Sequence, residues 1–274
     1  MICYYQNSKG KKIDLMSGPY RLITADFFDY EWDEISYSGK IYGFTRKTFV
    51  KEVKLDVFCA KSEFARNMNH LESIFAEDVV SVTPGKLYVN DDYLTCYVKG
   101  VKKDEWEAGI YTIVNLAIVT DCPYWILEKD RKFLPVSRRT ESGRDDFLNY
   151  PLNYPFNYTV SDRGSSAWYV DHIKPLPFYM IVYGPVTNPR ILINNLPYEV
   201  YTTLESNEYM TIESRTHKVL KYASNGTIIN LYNNRRTEQS IFEPLSPGNI
   251  QFNWSGTFGF DLTIFLEGNE PRWN

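Results

Sequence analysis

The segment from Ile250 to Trp273 constrains the fold more than any other part of the chain. Its apolar residues fall on even positions: Ile250, Phe252, Trp254, Phe258, Phe260, Leu262, Ile264 and Leu266. A period of two is typical of extended chain with one buried face. Ser255-Gly256 does not shift the phase, which favours a bend or bulge over a hairpin turn. We therefore expect an unbroken buried strand that ends in the tail Glu270-Pro271-Arg272-Trp273.

The length and amino-acid composition indicate a folded, β-rich protein. A chain of 274 residues is long enough for two domains or one large β-sandwich. Its hydrophobic share of 43% supports a substantial core, and its charged share of 23% is ordinary. The aromatic share is 16%, with 22 tyrosines, and this composition suits strands and subunit interfaces.

Charge and cysteine content exclude several classes. The net charge is −4, the pI is near 5.5, and the sequence has no long basic run, so nucleic-acid binding, including sequence-specific binding, is disfavoured. No stretch approaches the roughly 20 apolar residues of a membrane span. The N-terminus turns polar at Asn7, so we expect no secretory signal. Four scattered cysteines without Cys-x-x-Cys pairs predict small buried residues in a reducing cytoplasm.

The N-terminal portion predicts a layered sheet with one helix. Apolar residues alternate from Val53 to Cys59, as in a half-buried strand. A helical stripe follows, with Ser62 as its expected cap: Phe64, Met68, Leu71 and Phe75. A hairpin is expected over Leu87–Val98 around Asn90-Asp91-Asp92. The segment Gly109–Val119 is apolar on both faces and predicts a central strand.

A hydrophilic stretch divides the chain. We predict an N-terminal domain over 1–130, a linker over 131–148 and a C-terminal domain over 149–274. The C-terminal domain opens with the proline-rich run 149–158, expected to be extended. Short strands then alternate with turn signals at Gly184-Pro185, Asn194-Asn195 and Ser224-Asn225-Gly226, which predicts an antiparallel β-sandwich.

The sequence predicts no catalytic, cofactor-binding or metal-binding residue. His70, His172 and His217 lack metal-ligand spacing, and no nucleophile elbow or phosphate-binding loop is present. The acidic run Glu31–Glu34 offers carboxylates of the kind a glycosidase uses, but the sequence places no pair at the required separation. We expect a protein that is not an enzyme and needs no cofactor.

A sugar-binding module is the main alternative. Sandwiches often stack carbohydrate on an exposed tryptophan, and Trp168 in Ala167-Trp168-Tyr169 is the candidate residue. The competing interpretation, that Trp168 fills the sandwich interior, has more weight because large aromatics are mostly buried.

The chain resembles the distal tail (Dit-like) proteins of long-tailed phages and prophages of Gram-positive bacteria. The resemblance covers nearly the whole sequence, and its most specific part is the ending Phe252–Asp261 with Glu270–Trp273. The opening Tyr5–Leu15, the strand-then-helix Leu55–Phe75 and the motifs Tyr183-Gly184-Pro185 and Asn188–Asn194 add to it.

This resemblance implies a mainly β protein with an N-terminal belt domain and a C-terminal galectin-like antiparallel β-sandwich. It implies a virion structural protein that forms a hexameric ring at the distal end of the tail tube. The implied partners are the tail tube protein, the tail-associated or tape-measure-linked protein, and receptor-binding or other baseplate proteins. The implied location is the virion tail tip, after synthesis in the bacterial host cytoplasm. If the N-terminal domain supplies the ring contacts, deleting Lys129–Asn274 is expected to leave oligomerisation intact.

Overall fold

A computed structural model describes residues 1–46, 50–107, 109–136 and 164–273. These residues are mainly β-strand with one α-helix, and the strands pair antiparallel, as predicted. The chain divides into a first unit, Met1–Leu127 with Glu267–Asn274, and a second unit, Glu128–Leu266. The predicted C-terminal domain ran to residue 274, whereas residues 267–274 group with the first unit. Most of the predicted linker and the proline-rich run 149–158 lie outside the described residues.

The first unit contains one helix and the first ten strands. They are β1 Cys3–Gln6, β2 Lys12–Asp14, β3 Tyr20–Ala25, β4 Asp33–Tyr37, β5 Lys40–Thr45, β6 Val50–Phe58, α1 Lys61–Ser81, β7 Gly85–Val89, β8 Asp92–Glu107, β9 Tyr111–Val119 and β10 Trp125–Phe133, whose residues after Leu127 belong to the second unit.

Two sheets of the first unit share one long strand. Strand β8 pairs with β7 up to Cys96 and with β9 from Tyr97 onward. One sheet runs β2-β1-β7-β8, and the other runs β3-β6-β9-β8. The predicted central strand is confirmed, because β9 pairs with β6 on one side and β8 on the other. The predicted hairpin is also confirmed: β7 and β8 meet at Asn90, whose φ of 54° suits a tight turn.

The helix lays its predicted stripe on the core of the first unit. Phe64, Leu71 and Phe75 are buried, and Met68 packs against the same cluster. The predicted cap is wrong. The helix begins at Lys61 after Ala60, no side chain caps it, and Ser62 lies inside the first turn. Burial of the apolar face therefore stabilises this helix without an N-terminal side-chain cap.

The second unit contains the remaining strands. They are β11 Gly164–Val170, β12 Phe178–Tyr183, β13 Val186–Thr187, β14 Arg190–Ile193, β15 Leu196–Glu199, β16 Thr203–Leu204, β17 Tyr209–Glu213, β18 Lys218–Tyr222, β19 Ile228–Asn230, β20 Gly248–Trp254 and β21 Phe260–Gly268, whose last residues belong to the first unit.

These strands form the predicted antiparallel sandwich. One sheet runs β19-β18-β17-β12-β21, and the other runs β11-β20-β14-β15. Rings from the two sheets meet inside: the Phe178 and Tyr198 centroids are 5.7 Å apart, and those of Trp254 and Phe260 are 5.3 Å apart. The core therefore lies between two inward faces, as in other β-sandwiches.

The expected unbroken strand after Ile250 is wrong, although its buried face is right. Every predicted even-position residue is buried. Strand β20 nevertheless ends at Trp254, and β21 begins at Phe260 in the other sheet. Gly256 has a φ of 79° in the connection, and β20 and β21 do not pair as a hairpin. The period of two continues across both strands because each strand buries its even positions in the same core, one from each sheet.

Candidate functional site

A two-stranded hairpin in the first unit carries the clearest candidate for an assembly surface. Strands β4 and β5 pair with each other in a sheet of their own, from Asp33↔Thr45 to Tyr37↔Lys40. The turn is set by Ser38 at φ 50° and Gly39 at φ 75°, the left-handed pair of a type I′ hairpin. We call Asp33–Thr45 the arm.

The arm exposes apolar side chains on both of its faces. Tyr37 is 76% exposed and Tyr42 is 69% exposed. The other exposed apolar residues of the arm are Ile35, Ile41 and Phe44. An isolated two-stranded hairpin is at best marginally stable in water, and a contiguous exposed apolar surface marks a contact site. The arm is therefore a candidate contact surface.

A buried lysine holds the segment that leads into the arm. Lys51 is 2% exposed, and its Nζ donates to the carbonyl oxygens of Asp26 and Asp29, the latter at 2.9 Å. Burial lowers the pKa of Lys51 to about 8, with the nearby positive charge of Arg46 acting in the same direction. Because these carbonyls belong to the loop between β3 and β4, Lys51 fixes the approach to the arm.

An arginine in an aromatic cluster holds the segment that leaves the arm. Arg46 follows β5 directly, and its guanidinium carbon lies 5.4 Å from the ring centroid of Tyr124. The rings of Tyr30 and Trp32 lie at 5.7 and 5.9 Å. Burial lowers the pKa of Arg46 from its usual value, while the neighbouring Tyr124 opposes that shift. Arginine stays protonated in proteins, so the cluster is a cation–π site.

The C-terminal end of α1 presents a second exposed apolar surface. Val80 is 83% exposed, and Val79 and Val82 are also exposed. Val82 has a φ of 52°, a left-handed conformation that is unfavourable for a β-branched residue. Its backbone N–H reaches back to the carbonyls of Asp78 and Val79, as at a helix terminus that glycine usually occupies. A strained and exposed apolar terminus is a candidate contact surface.

The structure places Trp168 at a half-buried position on β11. It lies on the same strand face as the buried residues Gly164 and Val170. The Arg131 guanidinium carbon lies 5.8 Å from the Trp168 ring centroid, and Arg131 Nη1 donates to the Ala167 carbonyl oxygen at 2.6 Å. Sugar binding at Trp168 stays a prediction. The fully outward aromatic of this strand is its neighbour Tyr169, 71% exposed.

Within the described ranges, His, Cys, Asp and Glu side chains form no group of three or more suited to a metal ion. His70, His172 and His217 therefore share no ligand cluster there. No helix among the described residues is long and apolar enough to cross a membrane.

Solved structures provide the comparison that decides the fold. No protein-family model and no curated protein matches the sequence. The crystal structure of Dit from phage SPP1 is 10% identical in sequence to this chain and matches it with a TM-score of 0.60. The match covers 97% of this chain and 98% of the SPP1 chain. A chain of the phage p2 baseplate, in its activated conformation with strontium, is 12% identical to this chain and matches it with a TM-score of 0.61. The match covers 98% of this chain and 99% of the p2 chain. The corresponding structure with calcium gives 13% identity and a TM-score of 0.60, and the match covers 99% of this chain and 100% of the other.

The chain has the Dit fold. Its structural neighbours are phage Dit and baseplate proteins, in agreement with the resemblance of its sequence motifs. The Dit fold accounts for both units, since nearly all of each chain is covered.

Sequence reasoning missed the arm and the role of its base. Glu31–Glu34 was considered only as a source of carboxylates, whereas Asp33 begins β4. A usable signal was present: Ser38-Gly39 between two aromatic-bearing runs is a tight-turn pattern. Neither Lys51 nor Arg46 carries a sequence signal for its role, because each depends on carbonyls and rings contributed by distant segments.

Proposed function

We propose that this chain is a structural component of a phage tail tip or baseplate. In this proposal it assembles as a ring at the distal end of the tail tube and serves as the attachment hub for receptor-binding and other baseplate proteins. The observation that carries the proposal is the Dit fold over 97% to 99% of the chain. A fold by itself does not specify function, so the exposed arm is the second support.

The arm supplies a chemically reasonable ring contact. A ring of identical subunits needs a head-to-tail interface, in which one surface of each copy meets a different surface of the next. We assign the arm to the first surface, and the valines at the end of α1, Val79, Val80 and Val82, to the receiving surface. Both are apolar and exposed, so their contact removes apolar area from water on each side. The hexameric state implied by the sequence resemblance is part of this proposal.

The second unit is proposed to carry the adaptor contacts. Strand β19 ends the sheet order of its unit, and its Ile228 and Ile229 are exposed. An edge strand with apolar side chains suits the addition of a partner strand. Receptor-binding and other baseplate proteins are the partners we assign to this unit, and the tail tube and tail-associated proteins are assigned to the ring.

The proposed location is the tail tip of a virion from a phage or prophage of a Gram-positive host, assembled in the host cytoplasm. A stand-alone sugar-binding role through Trp168 has weaker support, because Arg131 lies against that ring. The proposed work of the protein is assembly, without catalysis or a cofactor.

The test is the oligomeric state of the purified chain, by light scattering and negative-stain microscopy over a concentration series with and without tail tube protein. Rings with a central hole are expected. The double variant Tyr37→Ser, Tyr42→Ser removes exposed apolar area from the arm and is expected to shift the chain to monomer. Its unfolding free energy is expected to change by only about 0.5 kcal/mol, as for other surface changes.

The matched control is Tyr169→Ser, which replaces an equally exposed tyrosine, 71% accessible, in the second unit. It is expected to leave ring formation unchanged. A wild-type chain that stays monomeric at every concentration, even with tail tube protein, contradicts the proposal. Equal loss of rings in the control and the arm variant removes the arm from it.

A further inference from the structure

The motif Glu270-Pro271-Arg272-Trp273 plays no part in the proposed ring contact, yet its segment contacts the residues on both sides of the arm. We propose that Asn269–Trp273 is a latch that fixes the direction of the arm and thereby sets how readily the chain assembles. Only the effect on assembly rests on the proposed function. The holding of the arm is a property of the single chain.

The latch has one firm anchor on β8. The Arg272 backbone N–H donates to Asp92 Oδ2 at 3.1 Å, and Arg272 Nη1 donates to Asp92 Oδ1 at 2.9 Å. Asp92 is the first residue of β8 and is 3% exposed. Two charge-assisted bonds to a nearly buried carboxylate are stronger than ordinary surface contacts. The latch is therefore attached to a strand that both sheets of the first unit share.

From this anchor, the latch contacts the segment entering the arm. The Trp273 ring stacks on Phe28, with centroids 4.0 Å apart and planes inclined by 27°. Phe28 lies between β3 and β4, beside the carbonyls that Lys51 holds. Trp273 is still 73% exposed, so this stack opens without disturbing the core.

The latch also contacts the segment leaving the arm. Arg46 Nη1 donates to the Asn269 carbonyl oxygen at 3.4 Å and to its Oδ1 at 3.3 Å. Because Arg46 follows β5 directly, the latch touches both ends of the hairpin. A hairpin held at both ends samples fewer directions and loses less conformational entropy when it docks. Release of the latch therefore lowers the affinity of the arm for its partner surface without altering the arm itself.

Hydrogen exchange of the full-length chain, at a concentration where it is monomeric, tests the holding of the arm. Trp273→Ala removes the stack and leaves the Arg272–Asp92 anchor. Arm peptides are expected to exchange about threefold to tenfold faster, the range for loss of one stacked ring pair. Peptides from the central strand β9 are expected to keep their wild-type rates. Trp273→Phe, which retains a ring over Phe28, is expected to restore slow exchange in the arm, and Tyr169→Ala serves as the unrelated control.

Light scattering of the same variants tests the effect on assembly. Faster arm exchange and weaker assembly in Trp273→Ala, both restored in Trp273→Phe, support the latch. Unchanged arm exchange in Trp273→Ala overturns it. Faster exchange with undiminished assembly overturns the link between latch and assembly. If the wild-type chain forms no rings, the proposed function fails, and the exchange data still decide whether the latch holds the arm.

Discussion

Gly85 lies where any side chain would collide with a buried hydrogen-bonded pair. A Cβ there would collide with the Tyr5 hydroxyl and would lie 2.5 Å from Asp78 Oδ2. The Tyr5 hydroxyl donates to that carboxylate at 2.6 Å, and Asp78 is fully buried. Burial, followed by this hydrogen bond, raises the pKa of Tyr5 well above its usual value. The Tyr5–Asp78 pair thus links β1 to α1, and it leaves room only for glycine at position 85.

Gly85→Ala is expected to cost about 2–4 kcal/mol of unfolding free energy, because overpacking adds to the loss of a buried hydrogen bond. Urea denaturation measures the change. Gly100→Ala is the control, since its Cβ would meet only the Ala117 Cβ, at 3.6 Å. Equal effects of the two substitutions would show that the Tyr5–Asp78 contact is not the cause.

A buried phenol gives the protein a defined alkaline response. Burial raises the pKa of Tyr20 to about 12, and its hydroxyl donates to the Asn67 carbonyl oxygen at 2.8 Å. An unfolded phenol ionises near pH 10, so the folded state retains this proton to higher pH. The stability from Tyr20 is therefore complete below about pH 10 and is lost as the pH rises towards 12.

Tyr20→Phe is expected to lose stability less steeply than wild type between about pH 10 and 12. Urea midpoints at several pH values in this window measure the difference. Lys51, whose pKa is lowered to about 8, and Cys3, whose pKa burial raises to about 12, titrate in both proteins and cancel in the comparison. Parallel pH profiles for the two proteins would contradict the assignment to Tyr20.

At the scale of elements, two valines at the end of α1 allow the effect of helix propensity to be measured apart from the effect of backbone strain. Val82 is left-handed and 78% exposed, whereas Val80 is helical and 83% exposed. Val82→Gly is expected to stabilise the chain by about 0.5–1 kcal/mol, because glycine adopts positive φ without a Cβ clash. Val80→Gly is expected to destabilise it by about 0.5 kcal/mol, because glycine is the poorer helix former. Thermal unfolding of both variants measures the signs, and a lower midpoint for Val82→Gly would contradict the strain at this terminus.

The elements show where sequence patterns succeed and where they stop. Alternation identified β6 and the buried faces of β20 and β21, because burial on one side of a strand enforces a period of two. Strand β9 was identified instead by apolar residues on both of its faces, as expected for a central strand. The same period could not distinguish one strand from two. The connection between β20 and β21 keeps the buried residues on even positions, so the alternation continues through it unchanged. Ser62 was misassigned because the apolar stripe of α1 fixes the buried face and leaves the first turn undetermined. The arm was missed because its apolar residues face away from any core.

At the scale of the whole molecule, the sequence motif at 270–273 was recognised but its structural role was not. The motif was predicted to lie in the C-terminal domain, whereas Asn269, Arg272 and Trp273 contact residues of the first unit. Contacts between residues so distant in sequence are set by the tertiary fold, which periodicity does not record. Deletion of Lys129–Asn274 therefore removes the latch together with the second unit, and no longer tests the first unit alone.

An excision that keeps the latch separates the two effects. A Cβ on Gly268 would lie 3.8 Å from the Trp125 carbonyl oxygen, so the chain near Leu127 runs close to the chain near Glu267. A short glycine-serine turn joining these two residues removes the second unit and retains the whole of the first. We expect the excised chain to unfold cooperatively, since it keeps the Arg272–Asp92 pair and one continuous core.

The excised chain is expected to form rings. The simple truncation after Glu128 is expected to assemble at least about tenfold more weakly. Its arm is no longer held by the latch, and its Asp92 has lost the Arg272 partner. Light scattering over a common concentration series compares the two, and circular dichroism reports whether each is folded. Trp273→Ala within the excised chain isolates the stack, since the anchor then remains. Equal assembly of the truncated and excised chains would mean that the arm needs no latch, and that ring formation resides in residues 1–128 alone.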